Sequence, residues 1–194
     1  MTQRPDLNTL SKEVFEANKA KGFHDVEVSN ETLLMLVITE LSEAVEADRK
    51  GKRFSLERYE YHTMTECQGW LTPDEQYRNV FERIVKDSVE DELADAAIRL
   101  LDLAGLRDYS ISEYTNVTEE NVFGDNYEKT SFSDKVFVIV SNITDSVQNI
   151  NFSIGSLIES IDVLCQHLSI DLWQHVSLKL NYNQTRPIKH GKNY

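Results

Sequence analysis

Proline, glycine and cysteine are scarce in this sequence, and each scarcity excludes a class of protein. Three prolines and seven glycines among 194 residues leave no stretch that resembles a flexible linker or a low-complexity segment. Cys67 and Cys165 lie far apart and match no metal-ligand spacing, so we expect both to be reduced thiols. The length suits one domain with its own core, and we expect residues 1–194 to form a single domain.

Long apolar runs and an excess of positive charge are also missing. No segment has enough uninterrupted apolar residues to span a bilayer, and the amino terminus lacks the apolar stretch of a signal peptide. The sequence therefore predicts a cytoplasmic protein with no membrane partner. A net charge of −13 argues against a nucleic-acid polymer as partner, because binding to a phosphate backbone depends on clustered Lys and Arg.

Apolar residues recur at helical spacing through most of the chain. This pattern predicts an all-α helical bundle, with one stretch, FVIVSNI, that could equally be a strand. Asn30 is the expected cap of the second helix. Residues 51–73 are interpreted as an irregular connection, residues 108–131 as a long polar loop, and residues 108–171 as an insertion before the C-terminal helix. The predicted helices cover residues 7–21, 30–50, 77–106, 134–147, 153–168 and 172–182.

Two of these helices carry a pair of carboxylates three residues apart, a spacing that places both on one helix face. Glu40 and Glu43 lie on the second helix, and Glu92 and Asp95 lie on the third. Two facing helices with such pairs would form an oxygen-rich site of the kind that Mg²⁺ prefers.

Spacing alone does not identify a site in so acidic a chain. Glu40 differs from the rest because it lies in the middle of an apolar stripe, where a carboxylate needs a charged partner or a metal. Glu92 and Asp95 share their face with other charged residues such as Arg99, so a solvated or salt-bridged face explains them at least as well. Six further pairs have the same spacing and are most simply exposed: Glu13/Glu16, Glu43/Glu46, Glu57/Glu60, Asp87/Glu90, Asp125/Glu128 and Glu159/Asp162.

The carboxyl-terminal part of the chain is basic. No acidic residue follows Asp171, and this part of the chain contains Lys179, Arg186, Lys189, His190 and Lys192. The commoner explanation is a solvated basic end, and the alternative is a binding site for a small phosphorylated ligand. No histidine has a Glu three positions before it, which argues against a di-iron bundle, and there is no Walker loop or HExxH motif. We expect the five histidines to be surface or capping residues.

Three segments occur in a specific order: TELSEAVEADRKGK, VEDELADAAIRLLDL and KLNYNQTRPIKHGKNY, with KGFHD before the first. Together they resemble the MazG-like branch of the all-α nucleoside triphosphate pyrophosphohydrolases, whose signature is ExxE on one helix followed by ExxD on another. The resemblance implies a homo-oligomer, dimer or tetramer, that cleaves an NTP or dNTP to the monophosphate and pyrophosphate. The implied cofactor is Mg²⁺, with Mn²⁺ as an alternative.

The resemblance also implies roles for single residues. The metal would be held by Glu40, Glu43, Glu92 and Asp95, and the triphosphate would be contacted by Lys179, Asn183 and Arg186. Glu40 is also the hypothetical general base, since it is the best-buried carboxylate. Phe23 and His24 could stack on a nucleobase or form a hydrophobic staple. The rival hypothesis is a non-catalytic helical binding or assembly protein that keeps this scaffold.

Overall fold

The structure is a computed structural model that describes residues 2–65, 71–111 and 117–188. These residues form nine α-helices, two short 3₁₀ turns and no strand, so the prediction of an all-α protein is confirmed. FVIVSNI is helical and lies in α7. The helices are α1 (Leu7–Ala20), α2 (Asn30–Arg49), α3 (Leu56–Thr65), α4 (Pro73–Ile84), α5 (Val89–Arg107), α6 (Glu119–Phe123), α7 (Phe132–Ser146), α8 (Ile150–His167) and α9 (Leu172–Thr185).

The predicted helix over residues 77–106 is two helices, and this prediction was wrong. The chain leaves α4 after Ile84, and Asp87 has a left-handed backbone conformation with φ of 57°. Ser88 then caps α5, because its Oγ accepts a hydrogen bond from the backbone N–H of Asp91 at 3.2 Å. A side-chain cap and a left-handed residue in succession end one helix and start another in a new direction.

Three smaller expectations about the connections also differ from the structure. Residues 51–73 are not wholly irregular, since they contain α3, and the polar loop over residues 108–131 contains α6. Ser29, and not Asn30, caps α2, because the Ser29 hydroxyl accepts the Thr32 N–H at 3.2 Å. Helix α3 has no buried residue, which explains why it lacks the apolar stripe that reveals other helices.

Helix α5 is the centre of the bundle. It packs against α1, α2, α8 and α9, and most of its residues are buried, including the charged residues of its first turn. Gly105 permits the approach of α1, since a Cβ at this position would lie 2.3 Å from the Ser11 carbonyl oxygen. Every functional side chain on α5 is therefore held on a helix that is fixed from several sides.

Helices α7 and α8 belong to the main hydrophobic core. Helix α7 packs on α2, and α8 packs on α5. Residues 108–171 therefore contribute helices that the core needs, and their status as an insertion stays a prediction. A smaller apolar cluster joins α4 to α9, where the rings of Phe81 and Tyr182 stack with centroids 4.2 Å apart. Among the described residues, no helix is long and apolar enough to cross a membrane.

Candidate functional site

Three carboxylates from two helices converge at the α2–α5 interface. One oxygen each of Glu40, Glu43 and Glu92 lies within 4.8 Å of the other two. Glu40 and Glu92 are buried, whereas Glu43 is exposed and gives the group a side that faces solvent. Opposite ligands of an octahedral Mg²⁺ lie about 4.2 Å apart, so small side-chain movements would bring these oxygens to coordination distance. The donor set fits a hard divalent cation.

Of these three carboxyl groups, Glu92 has the most strongly shifted pKa. Its side chain has no hydrogen bond or ion pair to any described residue, although only 4% of the residue is exposed. Burial, together with the nearby charges of Asp91 and Asp95, raises the pKa of Glu92 to about 9. A buried carboxyl group without a cationic partner is costly in the ionised form, and a metal ion is one way to stabilise it.

Glu40 has a partner, as its position in the apolar stripe of α2 required. The Nε of Arg99, on α5, donates a hydrogen bond to Glu40 Oε1 at 2.5 Å. Burial and the charge of Asp95 raise the pKa of Glu40, and Arg99 acts in the opposite direction. Glu40 is therefore a carboxylate held in place at one oxygen.

Asp95 and Lys179 lie in an ion-paired group beside the three carboxylates. The ammonium of Lys179 lies 2.8 Å from Asp91 Oδ1 and 2.7 Å from Asp95 Oδ2, and Lys179 is only 5% exposed. Burial opposes the charge on Lys179, but Asp95 and Asp91 outweigh it and raise the pKa of this lysine. The structure thus pairs Asp95 with Lys179 and does not include it among the three converging carboxylates. The resemblance implies that Lys179 contacts the triphosphate, but in the structure its ammonium is paired with the carboxylates of Asp91 and Asp95.

An open cleft lies next to the carboxylates, and it brings distant sequence motifs together. Asn183 and Arg186, at the end of α9, line it together with Asp95 and Arg99. Phe23 and His24 also line it, and His24 Nε2 lies 2.9 Å from Asp102 Oδ1. The remaining lining residues are Asn18, Val28, Leu33, Leu36 and Ile98.

The end of α9 offers polar groups to this cleft. Arg186 extends over the ring of Tyr182, with its guanidinium carbon 5.4 Å from the ring centroid. The side-chain oxygen of Asn183 is buried and has no hydrogen-bond partner in the described part of the chain. An amide oxygen in this state is available to a ligand donor. Lys189, His190 and Lys192 lie outside the described residues.

Several side chains expected at the surface are buried. Glu159 and Asp162 on α8 are 6% and 5% exposed, and Arg4 approaches both, with its Nη1 2.5 Å from Glu159 Oε2. Glu90 is also buried, and accepts hydrogen bonds from Arg53 Nε at 2.9 Å and from the Phe54 N–H at 2.8 Å. These expectations of exposure were wrong, since long-range cations and amides satisfy the carboxylates.

At least one histidine is also buried against expectation. His175 on α9 is 3% exposed, packs edge-on against the ring of Phe54, and has a pKa lowered by burial. His24 lies in the cleft beside Asp102. The expectation that all five are surface or capping residues is wrong for His175.

Sequence reasoning missed three residues that shape the site: Asp91, Arg99 and Asp102. Asp91 and Arg99 lie one helical turn before and after Asp95, so the spacing that placed Asp95 also places them on its face. The sequence leaves a solvated and a salt-bridged face open, because a charged stripe on an isolated helix gives no sign of what covers it. The structure shows the salt-bridged alternative. Lys179 covers Asp91, and Glu40 pairs with Arg99.

Comparison of the chain with protein-family models, with curated proteins and with solved structures gave no match in any of the three.

Proposed function

We propose that this protein is a Mg²⁺-dependent nucleoside triphosphate pyrophosphohydrolase, which converts an NTP or dNTP to the monophosphate and pyrophosphate. The observation that carries the proposal is the convergence of Glu40, Glu43 and Glu92 beside a cleft lined by Asn183 and Arg186. Hydrolysis of a triphosphate needs a cation at the phosphate oxygens and donors that fix the chain for attack. The two features lie side by side here, and the resemblance of the three sequence segments points to the same reaction.

Each residue receives a role in this proposal. Glu40, Glu43 and Glu92 would hold Mg²⁺, or Mn²⁺ in its place, and the ion would supply positive charge to the phosphate oxygens of the triphosphate. Glu40 is also the candidate to accept the proton of the attacking water, at the oxygen that Arg99 does not hold, since it is buried and has a raised pKa. Arg186 makes the bidentate phosphate contact.

Asp95 and Lys179 have a different part in this proposal from the one implied by the resemblance. Lys179 neutralises Asp95 and Asp91 and stays with them, and it does not reach the triphosphate. Asp95 completes the metal site only if it turns away from Lys179. The homo-oligomeric state, dimer or tetramer, follows from the resemblance, and the predicted cytoplasmic location is part of the same proposal.

A second candidate function is a non-catalytic binding or assembly protein. The observation that favours it is the internal neutralisation of the site, in which Arg99 and Lys179 already pair with Glu40, Asp91 and Asp95. Ion pairs of this kind also occur as purely structural features. Glu92 argues against this reading, since no described cation pairs with it.

A phosphate-release assay over a panel of NTPs and dNTPs, coupled to inorganic pyrophosphatase, tests the proposal. We expect Mg²⁺-dependent release from the wild type and a loss of more than about a hundredfold in Glu40→Gln, because the amide cannot supply the charge that the metal needs. Glu57→Gln is the matched control, since Glu57 is exposed and lies on α3. A Glu40→Gln protein as active as the wild type would remove Glu40 from the site.

A further inference from the structure

Arg99 lies at the junction between the carboxylates and the cleft. Its Nε donates to Glu40 Oε1 at 2.5 Å, and its side chain also lines the cleft beside Asn183 and Arg186. Of the cleft-lining residues, Arg99 is the one whose side chain has a hydrogen bond or ion pair, within the described part of the chain, to a carboxylate of the converging group. Arg99 therefore links the cleft to the carboxylate group.

The guanidinium has donors left after it has bound Glu40. It carries five N–H groups, and one carboxylate engages two of them at most, so at least three remain. Glu40 is the one hydrogen-bond or ion-pair partner of Arg99 in the described part of the chain, and 29% of the Arg99 side chain is exposed. No Arg99 nitrogen is among the buried polar atoms that lack a partner in the described part of the chain, so the remaining donors are open to solvent on a residue that lines the cleft.

We propose that Arg99 is a bridging residue, which positions Glu40 for a divalent cation and at the same time binds an anionic phosphate group of a ligand in the cleft. The inference rests on the proposed function and adds to it a coupling between the two ligands. Metal ligands are commonly oriented by an outer hydrogen bond, and a planar guanidinium can serve two anions at once. A ligand at either site fixes the Arg99 side chain, so the second ligand has less of its ordering cost to meet and each strengthens the binding of the other.

Calorimetry with Mn²⁺ and inorganic pyrophosphate as probes tests the coupling. Each affinity is measured with and without the other probe, with correction for the Mn²⁺–pyrophosphate complex in solution. The variants are Arg99→Met, which keeps the length of the stem, and Arg99→Lys, which keeps the charge but has no planar fork. Arg49→Met is the matched control, since Arg49 is a 75% exposed arginine on α2 that pairs with Glu46.

We expect Arg99→Met to weaken Mn²⁺ binding about tenfold and pyrophosphate binding about ten- to hundredfold, and to abolish their mutual enhancement. Arg99→Lys should retain most of each separate affinity and lose most of the enhancement. In a Glu40→Gln background, Arg99→Met should change only pyrophosphate binding, because the metal effect acts through Glu40. Circular dichroism checks that each variant is folded. If Arg99→Met does not fold, the loss or retention of mutual enhancement in Arg99→Lys tests the bridging role.

The outcomes separate this inference from the proposed function. A wild type that binds neither Mn²⁺ nor pyrophosphate would overturn both. A wild type that binds both, with Arg99→Met showing unchanged pyrophosphate affinity and equal or tighter Mn²⁺ binding, would overturn the bridging role alone. Arg99 would then be only the counter-charge of Glu40.

Discussion

Replacing Lys179 with methionine removes a buried positive charge and keeps most of the aliphatic stem. The ammonium lies between Asp91 and Asp95, and it also lies 5.6 Å from the centroid of the Phe81 ring. Methionine preserves the contact with the ring and leaves the two carboxylates without a cation. The substitution therefore isolates the electrostatic part of the interaction from the packing.

The expected loss of stability is large because both partners are shielded from water. Removing one partner of a buried ion pair costs about 3–5 kcal/mol, since the other charge is left buried and uncompensated. Lys179 is 5% and Asp91 is 1% exposed, so this range applies at pH 8. The exposed pair Lys52–Asp87, at 3.2 Å, should contribute less than about 1 kcal/mol, and Lys52→Met is the matched control.

The loss should depend on pH. Burial already raises the pKa of Asp91 to about 6 while Lys179 acts to lower it, so the variant should have a still higher pKa at this residue. The folded variant then binds a proton that its unfolded chain does not, and its stability falls as pH rises through this window. At pH 5 the carboxyl is protonated, and the loss should shrink to about 1–3 kcal/mol, the cost of a neutral buried polar group.

Urea denaturation of both proteins at pH 5 and pH 8, followed by circular dichroism, measures these differences. A triple variant that adds Asp91→Asn and Asp95→Asn to Lys179→Met should regain most of the lost stability, because it removes the whole charged group. The reasoning is refuted by a loss below about 1 kcal/mol at pH 8. A loss that is the same at both pH values would refute the proposed titration of Asp91.

Three further perturbations have defined outcomes. The raised pKa of Glu92 keeps this carboxyl group protonated at pH 7, so Mn²⁺ binding should release about one proton. The heat of Mn²⁺ binding should therefore differ between buffers of different ionisation enthalpy, and equal heats in those buffers would contradict the prediction. Arg4→Ala leaves the buried Glu159 without its cation and should cost about 1–3 kcal/mol in thermal unfolding without changing Mn²⁺ affinity. Gly105→Ala forces a Cβ against the Ser11 carbonyl and should cost about 1–3 kcal/mol, and an unchanged unfolding midpoint would contradict that close approach.

The burial of Glu40 was predictable because α2 is amphipathic. One face of α2 packs on the core and the other faces solvent, so the position of a residue in the apolar stripe determines whether it is buried. The same reasoning failed for Glu92, since α5 is covered on most sides and its charged face is as buried as its apolar face. Periodicity reports which side of a helix is covered only when the other side is open to water.

The partners of the buried charges could not be read from the sequence. Arg4 and Glu159 are 155 residues apart, and Lys179 and Asp91 are 88 residues apart. No local pattern marks such a pair, because each depends on how α8 and α9 return to α5. Helix caps are easier to predict from sequence than these distant pairs. Ser88 is followed three residues later by Asp91, a spacing that could have revealed the start of α5.

The products formed from a nucleoside triphosphate test the central claim most directly. The wild type is incubated with the preferred NTP or dNTP and Mg²⁺, and the products are identified by phosphorus NMR beside reactions that contain EDTA or the Glu40→Gln variant. The account predicts monophosphate and pyrophosphate in equal amounts in the first reaction and neither in the other two. Formation of a diphosphate and orthophosphate, equal turnover by Glu40→Gln, or no Mg²⁺-dependent hydrolysis of any nucleotide in the panel would contradict it.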